Sequence, residues 1–260
     1  MRTLAGHGRK AVVPYIVAGD REPPWTVPAM HALVASGADI IELGVPFSDP
    51  MAEGPVIQLG HERALQHAVG LLDVLRMVSE FRRTDNATPL VLMGYANPIE
   101  ALGYPRFAAQ AAAAGVDGVL TVDMPPEEAD GLDTALREFA LDIIYLIAPT
   151  TSDHRMREIC DRASGYLYYV SLKGVTGAGH LDADAVAGKV ATIKSMTELP
   201  VAVGFGIKDA ASARAVAQSA DGVVVGSVLV DAMGKANTVD DMCAAVSAIV
   251  ADIGMGASAT

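Results

Sequence analysis

The sequence is poor in cysteine, in aromatic residues and in positive charge, and each shortage argues against a class of protein. Its two cysteines, Cys160 and Cys243, lie far apart and in no metal-ligand spacing, which argues against a disulfide framework and a zinc site. Aromatic residues make up only 5%, too few for an aromatic-rich β-sandwich. The 19 Lys and Arg stand against 31 Asp and Glu, a net charge of −12 without a basic run, so we expect neither nucleic acid nor a membrane as partner.

Long apolar runs are also missing. No segment reaches the roughly 18 consecutive apolar residues of a transmembrane helix. The apolar stretch at residues 11–18 contains Pro14 and precedes no convincing cleavage site, so we interpret it as a strand and not as a signal peptide. With 51% hydrophobic residues the chain can form a sizeable core, and we expect a cytoplasmic globular protein.

Short, β-branched apolar runs recur along the whole chain and alternate with helical patterns. The runs begin at Val12, Asp39, Pro89, Gly115, Asp142, Tyr166, Pro200 and Asp221. Alternation of this kind predicts parallel βα units, and a spacing of about 32 residues is typical of a (β/α)₈ barrel. We therefore predict one α/β domain, a single (β/α)₈ TIM barrel over residues 1–260, with a flexible tail from about residue 254. A doubly wound sheet is the alternative, but even spacing and the lack of a dinucleotide fingerprint favour closure.

The helical patterns between these runs are uneven in strength. They cover residues 28–36, 62–81, 105–114, 126–139, 153–162, 209–219 and 239–250, and the weakest lies between residues 182 and 196. Asp209 is a plausible N-cap after the seventh run. Residues 46–58 contain three prolines and a glycine, which predicts a loop.

A carboxylate within the second run is the sharpest chemical signal. Glu42 alternates with aliphatic residues on a strand whose faces are both buried in a barrel. An unpaired charge there costs several kcal/mol or raises the pKa of the group, which suits a catalytic acid or base. Pairing with a hidden Lys or Arg is the alternative, but no other run contains a basic residue before its C-terminal end.

Further candidates follow the strands, where a barrel places its active face. Asp49 and Glu53 could set a second carboxylate opposite Glu42, or they could belong to a solvated acidic loop. The small residues of segment 173–180 predict a mobile lid. Tyr95, Tyr168 and Phe205 could line a pocket that accepts an aromatic ligand, or each could simply fill the core. The glycines after strands seven and eight suit a phosphate site, formed by Gly204, Gly206 and Gly226 with Ser227, although the first two could simply form a tight turn.

The segment ELGVPFSDPMAEGP, residues 42–55, resembles the tryptophan synthase α subunit family. Six further motifs match in order, so the resemblance covers essentially the full chain: PYIVAGD, MGYANP, VDMP, YYVSLKGVTGAG, VGFGIKD and VVGSVLV. It implies a barrel that cleaves indole-3-glycerol phosphate to indole and glyceraldehyde 3-phosphate without a cofactor or metal of its own. It also implies an α₂β₂ complex in which indole passes to a β subunit that holds pyridoxal phosphate.

The same resemblance implies a role for individual residues. Glu42 matches the glutamate that shuttles the proton at indole C3, and Glu53 stands where the family has an aspartate that holds the indole N–H. The carboxylate is thus kept but moved outward by one methylene. The other matches are Tyr15, Tyr168 and the lid residue Thr176 at the substrate, Gly177, Gly206, Gly226 and Ser227 at the phosphate, and Asp49 and Asn97 at the β subunit.

Three other functions stay open on the residues alone. The chain could be an interaction and regulatory barrel that Glu53 leaves catalytically poor, or a free-standing lyase that releases indole. A different phosphate-barrel isomerase or aldolase is disfavoured because no strand ends in a lysine for a Schiff base, and Lys173 and Lys208 lie in loops. Indole release with and without a β subunit separates these functions.

Overall fold

The chain folds as a closed parallel barrel. A computed structural model describes residues 1, 4, 9–171, 183–204 and 206–258. Its strands pair in sequence order around the barrel, and β1 closes onto β8 with Val12 opposite Val223. The strands are β1 (Ala11–Val17), β2 (Ile41–Gly44), β3 (Leu90–Gly94), β4 (Gly118–Thr121), β5 (Asp142–Ile147), β6 (Leu167–Val170), β7 (Val201–Gly204) and β8 (Gly222–Val225). The predicted (β/α)₈ barrel is confirmed, and the doubly wound alternative is wrong.

Helices form the outer layer. They are α1 (Thr26–Ala35), α2 (Pro55–Gln66), α3 (Leu71–Phe81), α4 (Ala96–Leu102), α5 (Tyr104–Ala114), α6 (Asp130–Glu138), α7 (Asp153–Arg162), α8 (Ala183–Lys194), α9 (Ala210–Ala217), α10 (Ser227–Lys235) and α11 (Val239–Ser258), with 3₁₀ turns at Pro23–Trp25 and Pro126–Glu128. The predicted N-cap is present, because the Asp209 carboxylate accepts the Ser212 backbone N–H at 2.8 Å.

The strands divide the apolar core into two parts. One part fills the barrel and includes Ala11, Val13, Ile40, Val91, Leu120, Ile144, Tyr166, Ala202 and Val224. The larger part lies between the strands and the helices, where Ile16, Leu43 and Leu92 are buried. Both faces of every strand are thus covered, which is why the strand runs are apolar throughout and not alternating.

Two predicted boundaries between β2 and β3 differ from the structure. The helix predicted over residues 62–81 is two helices, because Ala68 adopts a φ of 53° and Gly70 is extended, which ends α2 before α3 begins. The loop predicted over residues 46–58 ends early, because Pro55 starts α2. A proline at the first position of a helix needs no N–H partner and has a suitable φ.

The C-terminal helix corrects the predicted flexible tail. Helix α11 continues to Ser258, past the predicted start of the tail at residue 254. Gly256 packs so closely on α9 that an added Cβ would lie 2.2 Å from the Ala210 carbonyl oxygen. The Asp252 carboxylate also accepts the Ala210 backbone N–H at 2.8 Å. Small residues and this hydrogen bond therefore hold the end of α11 on the barrel.

Helix α11 is also the one described helix that is long and apolar enough, by length and composition, to cross a membrane. Its buried residues Met242, Val246, Val250 and Ile253 form one face. That face is covered by the barrel, since α11 contacts α1, α9 and α10. The apolar composition of α11 is therefore explained by its packing against the rest of a globular fold.

Candidate active site

A cavity of about 790 Å³ opens at the C-terminal ends of the strands. This is the end of a barrel where active sites occur. The structure brings seven of the sequence-predicted site residues together in its wall: Tyr15, Glu42, Glu53, Tyr168, Gly206, Gly226 and Ser227. Apolar side chains such as Met93, Val122 and Ile57 line much of the remainder, so the cavity suits a largely apolar ligand with a few polar anchors.

Glu42 is fully buried in the cavity wall on β2. The Tyr166 hydroxyl donates a hydrogen bond to Oε1, while Oε2 has no partner among the described residues. Burial raises the pKa of Glu42 to about 8; the Tyr166 hydrogen bond opposes this rise and the charge of Glu53 adds to it. No described Lys or Arg pairs with Glu42, so at neutral pH the carboxyl holds a proton that it can deliver to a ligand.

Glu53 lies in the loop between β2 and α2, and burial raises its pKa to about 7. Neighbouring contacts hold this loop in place. The Ala52 backbone N–H donates to the Tyr95 hydroxyl at 3.1 Å, and the Gln58 side-chain amide donates to the Glu53 carbonyl at 2.9 Å. Phe47 stacks on Tyr95 with ring centroids 4.9 Å apart. The second carboxylate is therefore positioned by its loop and not freely solvated.

Two tyrosines on different strands line the cavity. Tyr15 on β1 and Tyr168 on β6 are neutral phenols, because burial raises the pKa of each well above its usual value. Each hydroxyl lies over a glycine of the next strand. A Cβ added at Gly44 would lie 2.3 Å from the Tyr15 hydroxyl, and one added at Gly204 would lie 2.0 Å from the Tyr168 hydroxyl. The sequence predicts that Gly204 belongs to a phosphate site or a tight turn, whereas in the structure its missing side chain makes room for Tyr168.

The remaining part of the cavity wall suits the binding of an anion. Ser227 is the first residue of α10, and Gly226 precedes it, so the N-terminal end of this helix faces the cavity. Gly206 adopts a φ of 81° in the loop after β7. Free backbone N–H groups and the helix dipole favour negative charge at such a place. Lys208, predicted from the sequence only to be a loop lysine, also lines the cavity.

His61 is a site residue that could not be found from the sequence, because no motif around it distinguishes it from a surface histidine. It is 2% exposed and lies on α2. Its Nδ1 accepts the Phe47 backbone N–H at 3.1 Å, and its Nε2 lies 3.4 Å from the Tyr15 hydroxyl. Burial lowers the pKa of His61 to about 4. The described residues contain no cluster of His, Cys, Asp and Glu that could hold a metal ion.

Comparison with known proteins decides the family. The family model described as "Tryptophan synthase alpha chain" matches residues 1–257. The chain belongs to the tryptophan synthase alpha chain family. It is 59% identical over 241 residues to the tryptophan synthase alpha chain of Marinobacter nauticus, covering 93% of this chain and 89% of that protein. It is 63% identical over 227 residues to that of Nitrosococcus oceani, covering 87% and 84%.

Solved structures agree with this family. The crystal structure of tryptophan synthase subunit alpha from Legionella pneumophila str. Paris is similar with a TM-score of 0.90 and 47% identity, covering 98% of this chain and 95% of that chain. A tryptophan synthase structure from Mycobacterium tuberculosis has a TM-score of 0.90 at 36% identity, covering 100% and 96%. Tryptophan synthase alpha chains are lyases, and this chain has the alpha-subunit role in tryptophan synthesis. The family implies a beta-subunit partner.

Two of the positions predicted from the family resemblance lie outside the cavity. Asp49 and Asn97 are exposed and line no part of the cavity, so their role towards a β subunit stays a prediction. Thr176, Gly177 and Phe205 lie outside the described residues, as does the segment predicted to be a lid.

Proposed function

We propose that this chain cleaves indole-3-glycerol phosphate to indole and glyceraldehyde 3-phosphate by a retro-aldol reaction. One observation carries the proposal: two carboxyl groups with raised pKa values, Glu42 and Glu53, share a single apolar cavity whose wall also suits a phosphate. An indole ring fits the apolar part and a phosphate fits the anion site.

The reaction requires two proton movements and a stabilised cation. Glu42 gives its proton to C3 of the indole ring, which makes an electrophilic indolenine with positive charge at nitrogen. The glyceryl hydroxyl next to C3 then loses its proton to the Glu42 carboxylate. Its O–H electrons form the aldehyde carbonyl while the carbon–carbon bond breaks and its electrons return to the ring. Glu42 ends protonated, as it began.

Glu53 stabilises the charged intermediate. Its carboxylate accepts the indole N–H and stabilises the positive charge that develops at the ring nitrogen. The raised pKa values support this division: the deeper carboxyl, Glu42, has the higher pKa, about 8, and holds the proton, while Glu53, with a pKa of about 7, ionises first. Two nearby carboxyl groups whose surroundings push their pKa values apart can divide acid and anion roles.

Phosphate binding relies on local groups because the protein carries a net charge of −12. The N-terminal end of α10 at Gly226 and Ser227, the loop N–H groups near Gly206 and the Lys208 ammonium supply the positive potential. Gly177 would complete this site as the family resemblance implies. Tyr15, Tyr168 and Phe205 would flank the ring, and Thr176 would close the lid.

Indole then passes to a β subunit in an α₂β₂ complex, and pyridoxal phosphate belongs to that partner; this chain uses no cofactor of its own. Asp49 lies on the exposed part of the β2–α2 loop beside Met51, whose side chain is 85% exposed. The family resemblance places Asp49 at the surface that the β subunit would cover. Asn97, on α4, belongs to the same proposed interface. We place the complex in the cytoplasm.

Indole release by the purified chain tests this function. Indole-3-glycerol phosphate is supplied with and without a β subunit, and indole and glyceraldehyde 3-phosphate are quantified. Equal amounts of both products, formed faster with β, support the proposal. High activity that β leaves unchanged indicates a free-standing lyase, and no product in either mixture would indicate a silent regulatory barrel.

A further inference from the structure

His61 connects the loop that carries Glu53 with the cavity wall. The Phe47 backbone N–H lies 3.1 Å from Nδ1, and the Tyr15 hydroxyl lies 3.4 Å from Nε2. At 2% exposure, both ring nitrogens are shielded from water and depend on these protein partners. His67, near the end of the same helix, is exposed. His61 is therefore built into the site, and the proposed reaction as described above gives it no role.

The contacts fix the direction of each hydrogen bond. A backbone N–H can only donate, so Nδ1 of His61 must accept and carries no proton. The neutral ring then has its proton on Nε2, which faces the Tyr15 oxygen, and that oxygen accepts. The phenol proton of Tyr15 must therefore point away from His61. Tyr15, Glu42 and Glu53 line the same cavity, so the cavity carboxylates are acceptors that this proton can face.

We infer that His61 is a positioning residue that fixes the Tyr15 hydroxyl as a hydrogen-bond donor towards the cavity carboxylates. The same ring holds the Phe47 end of the loop that carries Glu53. The Tyr15 hydroxyl stabilises the ionised carboxylate while that carboxylate accepts the indole N–H. His61 therefore couples the position of the loop to the proposed reaction. This effect on turnover rests on the proposed function, whereas the tautomer and the donor direction do not.

The tautomer of His61 is measurable without any activity. In the unaltered chain labelled with ¹⁵N-histidine, two-bond proton–nitrogen correlations at pH 7 report which ring nitrogen carries the proton. The His61 signals are assigned from their loss in His61→Asn. We expect the Nε2–H form, and because the pKa of His61 is lowered to about 4, the ring stays neutral at pH 5.5. An Nδ1–H form, or a charged ring at pH 7, would overturn the inference.

Two substitutions separate the two hydrogen bonds. The Asn oxygen in His61→Asn lies near the place of Nδ1 and can accept the Phe47 N–H, but it cannot reach Tyr15. The longer amide of His61→Gln can donate to Tyr15 from the place of Nε2. We expect His61→Asn to lower kcat about three- to tenfold, as the loss of one hydrogen bond, and His61→Gln to restore most of it. His67→Asn, at the residue that follows this helix and outside the cavity, is the control and should leave kcat unchanged.

A double-mutant cycle with Tyr15→Phe decides whether His61 acts through that hydroxyl. His61→Asn should lower kcat in the parent chain but cause no further loss in the Tyr15→Phe chain. An equal loss in both backgrounds, or failure of His61→Gln to recover kcat while its melting temperature matches the parent, would refute a positioning role. If the parent with β releases no indole, the proposed function fails, and the tautomer measurement still tests His61.

Discussion

Replacing Glu53 by Gln removes one of the two cavity charges and keeps the length of the side chain. If that carboxylate accepts the indole N–H as the ring becomes cationic, the loss is one charge-assisted hydrogen bond, worth about 1.5 to 3 kcal/mol. At about 1.4 kcal/mol for each tenfold change in rate, kcat should fall roughly 10- to 150-fold. Glu53→Asp keeps the charge and should retain substantial activity, because charge matters more here than length.

The same substitution should move the pH dependence of catalysis. The charge of Glu53 contributes, after burial, to the rise of the Glu42 pKa to about 8. Because Gln carries no charge, the pKa of Glu42 falls in Glu53→Gln. Glu42 must be protonated to act as an acid, so the alkaline limb of the kcat profile should shift to lower pH.

Steady-state kcat is measured from pH 5.5 to 9.5 with saturating β for the parent, Glu53→Gln and Glu53→Asp. A Gln variant as fast as the parent, with the same alkaline limb, would refute the reasoning. Glu53 would then be an ordinary loop residue, and Asp49 would be the next candidate for the anionic acceptor.

The site geometry makes three other substitutions informative. Glu42→Gln should raise the melting temperature relative to the parent increasingly from about pH 4.5 to 8 but not at pH 4, because Glu42 ionises near its ordinary pKa of 4.5 in the unfolded chain and only near 8 in the fold, so the parent loses stability across this range. Gly204→Ala should destabilise by about 1 to 3 kcal/mol in denaturant titration, since its Cβ would lie 2.0 Å from the Tyr168 hydroxyl, and added Tyr168→Phe should recover part of this. Lys208→Met should raise KM about two- to fivefold at constant kcat, and 0.5 M salt should abolish that difference.

The barrel could be predicted from the sequence because its strands are covered on both faces and so leave apolar runs at regular spacing. Helix boundaries were harder. In the sequence, Pro55 predicts an interruption of helical structure, yet in the structure it is the first residue of α2. Ala68 prevents α2 from continuing, because it adopts a backbone conformation that alanine rarely adopts. The short helix α4 contains Pro98 and leaves no periodic signal. Local patterns therefore identified the strands and most of the helices, but not α4, α10 or the helix ends.

The two carboxylates were predictable because a charge within an apolar strand run, followed by an acidic loop, is unusual. The residues that support them were not. Tyr166 reaches Glu42 from 124 positions away in the sequence, and His61 reaches Tyr15 from 46. Such contacts depend on how the barrel closes, and no local pattern indicates them. Gly204 shows the same limit: its role is the space it leaves for a side chain of the neighbouring strand.

Cleavage of indole-3-glycerol phosphate in D₂O, by the parent and by Glu42→Gln with β present, tests the central claim most directly. The exchangeable deuteron on Glu42 should appear at C3 of the released indole, with an equal amount of glyceraldehyde 3-phosphate. Glu42→Gln keeps the shape of the side chain but cannot exchange a proton, so it should be slower by at least roughly 100-fold while its circular dichroism matches the parent. A folded Gln variant that releases indole at the parental rate, or a parent that releases none, would contradict the account.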